Sequence, residues 1–266
     1  MDRSPSETRR LGVIIPGARP DGRRESQAYE VYHYGAWISE HGIRGVGVLN
    51  EVTVAEGAHL VHRAYETAAP EVILPAAKAL GAAGCEAILW ACTCASFVGG
   101  LEWAEEQAGD LARAAGVPAT STSLALVEAI RHLGADTVDV ISPYPPKITG
   151  RLLALLTEAG IEVAALVTLD CLRPETSHGV DLHGAALRFD RALPPRRHPL
   201  LLPDTAVDGF PLVRSLEPEI GRPVIAANPA TLWSGLRLLG IEPRAEDSGA
   251  LFGPSLGPVG QHAAAD

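Results

Sequence analysis

The sequence has few lysines, methionines, cysteines and aromatic residues. Among its 266 residues, Lys78 and Lys147 are the only lysines, one residue is methionine and four are cysteines. The formal net charge of −10 argues against binding to nucleic acid, because phosphate-backbone contacts use clustered lysines and arginines. A small anionic substrate stays possible, since it responds to local hydrogen-bond donors. The composition therefore leaves small-molecule chemistry open.

Long apolar runs are also lacking. Hydrophobic residues make up 47% of the chain, yet no run approaches the ~20 residues of a membrane span. Residues 1–10 are polar and charged and lack the apolar core of a signal peptide. The four cysteines show neither the density of a disulfide framework nor the spacing of a zinc site. We expect a cytoplasmic protein without a membrane partner or a zinc site.

One stretch combines a strand pattern with reactive side chains. Residues 87–91 form an apolar run that predicts a buried strand, and Cys92-Thr93-Cys94 follows it directly. A glycine pair and a helical pattern over residues 101–115 come next. Ligands bind at the carboxyl ends of strands in open α/β sheets, and a helix amino terminus favours the thiolate of a nearby cysteine. The alternative is a cysteine buried for packing alone.

Strand and helix patterns alternate along the chain, which indicates parallel sheets flanked by helices. Strands are predicted at 11–15, 46–49, 87–91, 117–119, 137–141, 162–168, 198–203 and 223–226. Helices are predicted at 70–83, 101–115, 124–133, 147–159, 182–192 and 229–239. We expect an α/β fold of two lobes with a cleft between them. The first lobe comprises residues 11–121 and 228–252, the second 122–227, and disordered tails span 1–10 and 253–266.

Four motifs carry a resemblance to a known family. They are residues 91–97 (Ala-Cys-Thr-Cys-Ala-Ser-Phe), Ser142-Pro-Tyr144 before a helix, residues 221–233 with 237–240, and the opening residues 11–16. Together they resemble the maleate cis-trans isomerase and arylmalonate decarboxylase branch of the aspartate/glutamate racemase superfamily. The similarity runs from about Leu11 to Phe252. It implies two pseudo-symmetric α/β lobes, an active site between them, no metal or organic cofactor, and a homo-oligomer.

The resemblance also implies roles for particular residues. Cys92 matches the cysteine that attacks the substrate in the isomerases. Thr93 and Cys94 match the positions that hold the substrate carboxylate, and Tyr144 matches a tyrosine that donates its phenol proton to the same group. Members of the family stabilise negative charge beside a carboxylate, as an enediolate, among hydroxyl and backbone donors.

The chain departs from the family at the second cysteine. Counting back from residues 221–223 places Asp204 at that position, with Thr205 after it. A carboxylate there can act as a base, and a Cys92/Asp204 pair can run an asymmetric proton transfer. The alternative is that Asp204 caps the following turn or helix.

Three further candidates have weaker support. Asn50 ends a predicted strand and is a candidate donor to the substrate, or a turn former. Arg19 follows the first strand and is a candidate carboxylate clamp, or a surface residue. Asn228 is predicted to cap the helix that begins at Pro229. His33, His59, His62 and His178 show no spacing that indicates a function.

The leading hypothesis is a cofactor-independent isomerase of the maleate isomerase type, acting on a small carboxylic acid through Cys92. One alternative is a racemase or decarboxylase that works through an enediolate with the Cys92/Asp204 pair. Another is a non-catalytic protein that binds a small carboxylate.

Overall fold

A computed structural model describes residues 8–18, 29–54 and 57–253. Most of the two predicted tails and Arg19 lie outside these ranges. The prediction of a tail through residue 10 is wrong for Arg9 and Arg10, which begin the first strand.

The first sheet contains four parallel strands in the order β2-β1-β3-β4. Residues 11–15 of β1 and all of β3 are buried and have no polar side chain, as is usual for parallel strands covered by helices on both faces. The four strands are β1 (Arg9–Ala18), β2 (Val46–Val54), β3 (Ala87–Trp90) and β4 (Ala119–Ser121).

The second sheet repeats this arrangement, with four parallel strands in the order β6-β5-β7-β8. Its strands are β5 (Thr137–Ser142), β6 (Glu162–Thr168), β7 (Leu200–Leu202) and β8 (Val224–Ala226). In each sheet, the first two strands in the sequence are neighbours. The third strand pairs with the other side of the first strand, and the fourth strand pairs with the third. The two matching sheets confirm the predicted α/β fold with two similar lobes.

Several predicted strand bounds need correction, and those of β2 and β4 illustrate this. β2 continues to Val54, so Asn50 lies in mid-strand, paired with Val13 in β1, and does not end the strand. β4 begins at Ala119, two residues later than the predicted start, because Pro118 precedes the paired residues.

Helices cover the faces of both sheets. In the first lobe they are α1 (Tyr29–Tyr32), α2 (Tyr34–Glu40), α3 (Val61–Thr67), α4 (Pro70–Ala82), α5 (Cys94–Phe97) and α6 (Leu101–Ala115). After β4 come α7 (Thr122–His132), α8 (Pro146–Glu158), α9 (Pro174–Gly179), α10 (Leu182–Arg191), α11 (Gly209–Ile220) and α12 (Ala227–Leu238), then a 3₁₀ turn (Ala250–Phe252).

Helix α12 joins the two lobes. It packs against α7, β3 and β4 on one side and against β8 and α11 on the other. Trp233 is fully buried, and the Arg237 guanidinium lies 4.6 Å from its ring centroid, a cation–π contact. The largest apolar core therefore runs through both lobes without a break.

A charged cluster is buried at the amino end of the second sheet. The Asp139 carboxylate, with no exposed side-chain area, lies 2.8 Å from Arg222, 3.1 Å from His198 and 3.3 Å from Arg196. A buried carboxylate needs such partners, since an unpaired buried charge is strongly unfavourable. Arg196 is therefore part of this cluster.

No helix among the described residues is long and apolar enough to cross a membrane.

Candidate active site

A small pocket, with a volume of about 60 Å³, lies where strands of the two sheets end. The first lobe supplies residues at the end of β1 and residues that follow β2 and β3, and the second supplies residues that follow β5, β6 and β7. Because all these strands are parallel within their sheets, their carboxyl ends converge on the cleft, as expected for open α/β sheets. The pocket wall includes Pro16, Gly17, His59, Cys92, Thr93, Cys94, Tyr144, Asp204, Thr205 and Ala206.

Cys92 lies two residues after the end of β3. The backbone N–H of Ala91 donates to the Ile14 carbonyl oxygen at 3.0 Å, which continues the pairing with β1 up to the cysteine. Cys92 is only 7% exposed, and that exposure is to the pocket. The central strand thus presents a thiol at the base of the cleft.

Thr93 connects the two lobes directly. Its hydroxyl oxygen accepts a hydrogen bond of 3.1 Å from the backbone N–H of Thr205, and both side chains are buried. This contact places the segment after β3 against the segment after β7. The predicted site residues Cys92, Thr93, Asp204 and Thr205 are therefore neighbours in space.

Cys94 begins α5 and forms a sulfur hydrogen bond with Cys92. This hydrogen bond, burial, and the nearby Cys92 and Asp204 raise the pKa of Cys94 well above its usual range. Cys94 therefore remains a thiol at neutral pH and can donate its S–H to the Cys92 sulfur.

Tyr144 follows β5 and is fully enclosed. Its hydroxyl donates to the carbonyl oxygen of Pro203 at 2.6 Å, and Pro203 is the residue immediately before Asp204. Burial and the charge of Asp204 raise its pKa well above the usual range, so the phenol keeps its proton. The tyrosine lies at the predicted place, but its proton is directed at the backbone.

The two carboxylate oxygens of Asp204 have different surroundings. Oδ1 accepts a hydrogen bond of 3.0 Å from the backbone N–H of Ala206, which closes a turn. Oδ2 is buried and has no hydrogen-bond partner among the described residues. The turn-capping interpretation thus accounts for one oxygen and leaves the other without a partner, which is unusual for a buried polar atom.

One of the predicted site residues does not line the pocket, and another is not among the residues that the structure describes. Asn50 is exposed on β2 and does not line the pocket. Arg19 lies outside the described residues.

Asn228 is not the cap that its position before Pro229 predicts. Helix α12 begins at Ala227, so Asn228 is inside the helix. Its amide nitrogen is within 3.1 Å of the Thr205 carbonyl oxygen, 2.9 Å of the Val207 carbonyl oxygen and 2.9 Å of the Glu30 carboxylate. It fixes the segment that carries Asp204.

His59 is a pocket residue that the sequence did not identify. It is 3% exposed, and its ring lies edge-on to Tyr144 with 4.7 Å between centroids. Its partners come from distant parts of the chain, so no local spacing could have indicated them.

Among the described residues, no group of three or more His, Cys, Asp or Glu side chains is arranged to hold a metal ion.

A model of the arylmalonate decarboxylase family matches residues 36–252. The chain belongs to this family. The resemblance inferred from the four motifs is thereby confirmed.

Curated relatives include maleate isomerases as well as a decarboxylase. Maleate isomerase of Nocardia farcinica is 28% identical over 255 residues, covering 92% of this chain and 95% of the relative. Arylmalonate decarboxylase of Bordetella bronchiseptica is 27% identical over 176 residues, covering 64% and 72% respectively. Both enzymes named in the resemblance are thus among the relatives.

Solved structures show the same fold. Maleate isomerase of Pseudomonas putida S16 superimposes with a TM-score of 0.79 at 19% identity, covering 93% of this chain and 99% of that one. A mutant of the Nocardia farcinica maleate cis-trans isomerase, with a covalently bound succinylcysteine intermediate, gives a TM-score of 0.78 at 22% identity, covering 92% and 98%.

Proposed function

We propose that the protein is a cofactor-independent isomerase of the maleate isomerase type, acting on a small unsaturated carboxylic acid through Cys92. The observation that carries this proposal is the Cys92 sulfur at the base of the pocket, beside the hydroxyl of Thr93 and the thiol of Cys94. A thiol in this position can attack a bound substrate, and the neighbouring hydroxyl and thiol can donate hydrogen bonds to the substrate carboxylate.

The proposed reaction has three steps. The Cys92 thiolate adds to one alkene carbon, a carbon–sulfur bond forms, and the π electrons move into the adjacent carboxylate as an enediolate. Rotation about the new carbon–carbon single bond follows. The electron pair then returns, the carbon–sulfur bond breaks, and the trans acid leaves with the thiolate restored.

Donors around the pocket support the charged intermediate. The Cys94 S–H can stabilise the thiolate, and the backbone N–H groups of residues 93 and 94 can donate to the enediolate oxygens. The succinylcysteine intermediate named for the Nocardia relative is the product expected when such an adduct gains a proton.

The test is conversion of maleate to fumarate, followed by proton NMR. We expect the wild type to convert maleate and Cys92→Ser to lose activity by at least ~10³-fold, because a serine hydroxyl is a poor nucleophile. Cys85→Ser is the matched control, since Cys85 is also buried but lies outside the pocket. Equal activity of the two variants would refute the proposal.

The unpartnered Oδ2 of Asp204 favours a second candidate, proton transfer at the α-carbon of a carboxylic acid in racemisation or decarboxylation. Asp204 would act as the base and Cys92 as the acid around an enediolate. The test is exchange of an α-proton in deuterated water. Exchange that is lost in Asp204→Asn but kept in Asp208→Asn would support this second candidate. Maleate isomerisation without exchange would favour the first candidate.

The homo-oligomer and the cytoplasmic location stay predictions of this proposal. Light scattering of the purified protein tests the first.

A further inference from the structure

His59 bridges the two lobes above the pocket. It lies in the segment between β2 and α3, and it contacts the segment that follows β6 through two hydrogen bonds. Its backbone N–H donates to the Leu172 carbonyl oxygen at 2.9 Å, and its ring Nδ1 lies 2.8 Å from the Cys171 carbonyl oxygen.

The second bond settles which ring nitrogen carries a proton. A carbonyl oxygen only accepts, so Nδ1 must be the donor and Nε2 is the nitrogen left for other partners. Nε2 makes no hydrogen bond to the described residues, yet it is not among the buried polar atoms that lack a partner. Because His59 is nearly buried and lines the pocket, the space open to Nε2 is the pocket.

The charges of the residues around the pocket indicate a function for Nε2 of His59. The titratable groups that line the pocket with His59 are Cys92, Cys94, Tyr144 and Asp204. All of them are neutral or negative, and His59 is the only lining residue in the described part of the chain that can become positive. A substrate carboxylate beside Asp204 is unfavourable without a compensating positive charge, since like charges repel strongly in a partly buried site.

We propose that His59 is a further substrate-binding residue, whose protonated Nε2–H donates to a carboxylate of the substrate and offsets the charge of Asp204. The proposal rests on the pocket being the site of the proposed function. It gives His59 two roles, since Nδ1 holds the lobes together while Nε2 holds the acid.

Two alkylating reagents test this without any turnover. Iodoacetate and iodoacetamide both form a carbon–sulfur bond at Cys92 with loss of iodide, but only iodoacetate brings a carboxylate. The measured quantity is the ratio of the two alkylation rates at Cys92, obtained by peptide mass spectrometry. We expect His59→Asn to lower the iodoacetate/iodoacetamide ratio about tenfold, the scale of one hydrogen bond to a charged group.

The variants separate the two roles of His59. The Asn side chain keeps a nitrogen near the Nδ1 position and so can still donate to Cys171, whereas His59→Gln keeps a nitrogen near Nε2 without the charge. We expect a low ratio in both. His62→Asn is the control, since His62 is exposed on α3 outside the pocket, and its ratio should equal that of the wild type.

Other results would overturn the proposal. One such result is an iodoacetate/iodoacetamide ratio in His59→Asn that equals the wild-type ratio, together with rates in His59→Gln that fall equally for both reagents. This result would show that His59 only holds the lobes together. If the wild type does not isomerise maleate but His59→Asn still lowers the ratio, the proposed isomerase function is refuted. The proposed contact between His59 and a carboxylate is then retained. A Cys92 that reacts with neither reagent would refute both.

Discussion

Glu30 shows how a single residue outside the pocket positions the segment that carries Asp204. Its carboxylate accepts hydrogen bonds from the backbone N–H groups of Gly209 at 2.6 Å and Phe210 at 3.0 Å, the first residues of α11. It also accepts from the Asn228 amide. The first lobe thus supplies the cap for a helix of the second, since Asp208 at the N-cap position makes no side-chain cap bond.

The ionisation of Glu30 makes stability depend on pH. Burial raises the pKa of Glu30 from 4.5 to about 7, against the opposing effect of its three hydrogen bonds. The folded protein therefore holds the proton more tightly than the unfolded chain. The stability that this proton contributes is present below pH 4.5 and is lost as the pH rises through about 7.

The variant Glu30→Gln tests this dependence, because its amide does not ionise. We compare the free energy of unfolding of the wild type with that of the variant. We expect the advantage of the wild type to be larger at about pH 5 than at about pH 8, and to shrink by on the order of 1–2 kcal/mol between these values. Urea unfolding across this range measures it. A difference that stays constant with pH would contradict the role given to Glu30.

Local pattern located some site residues and could not locate others. Cys92 follows a strand with a clear apolar pattern. The roles of Thr93 and Tyr144 came from the family resemblance, and Asp204 was placed by counting back from the family motif at residues 221–223. The role of Asn228 was mispredicted because an Asn-Pro pair usually marks a helix start, while here three carbonyl and carboxylate groups hold the amide inside the helix. Such long-range partners leave no mark in a single sequence.

At the scale of elements, the helix pair α4 and α6 depends on a glycine. A Cβ at Gly81 would overlap the backbone of Ala115 at the end of α6, which cannot move aside like a flexible side chain. Gly150 lies in α8 with nothing near its Cα on the side where a Cβ would go. The two helical glycines therefore differ in what an added methyl group meets.

This difference predicts opposite effects of the same substitution. Gly81→Ala should lower the free energy of unfolding by about 1–3 kcal/mol through overpacking. Gly150→Ala should raise it by about 0.5–1 kcal/mol, since alanine favours the helix in an open position. Thermal unfolding of the two variants measures both changes. The same sign of change in both would contradict the packing of α4 on α6.

Helices with clear apolar spacing were predicted within a few residues, such as α4, α6 and α8. The helices α1, α2, α3, α5, α9 and α11 were not predicted. Helix α11 contains Pro218, which usually ends a helix, and it begins at Gly209 without a capping side chain of its own. The cap comes from Glu30, distant in sequence, so tertiary structure overrides the local preference.

At the scale of the whole molecule, the two lobes share one core and one set of cross-lobe hydrogen bonds. The apolar core is continuous through α12, and the pairs Thr93–Thr205 and Glu30–Gly209 connect the lobes at the cleft. Because the pocket depends on both lobes, loss of one lobe removes the site.

This shared core predicts a single unfolding transition. All four tryptophans lie in the first lobe or in α12, at positions 37, 90, 103 and 233, so their fluorescence reports on that part of the molecule. Far-UV circular dichroism reports on both lobes. We expect the two urea curves to coincide. A separate second transition in circular dichroism would show that the second lobe unfolds independently.

The most direct test of the central claim is the position of a covalent adduct during turnover. The protein is incubated with maleate, quenched in acid so that any enediolate is protonated to a stable thioether, and digested for mass spectrometry. The account predicts a mass gain of one maleic acid on the peptide that carries Cys92, and none in Cys92→Ser. Turnover of maleate without this adduct, or an adduct on Cys85 or Cys171 instead, would contradict it.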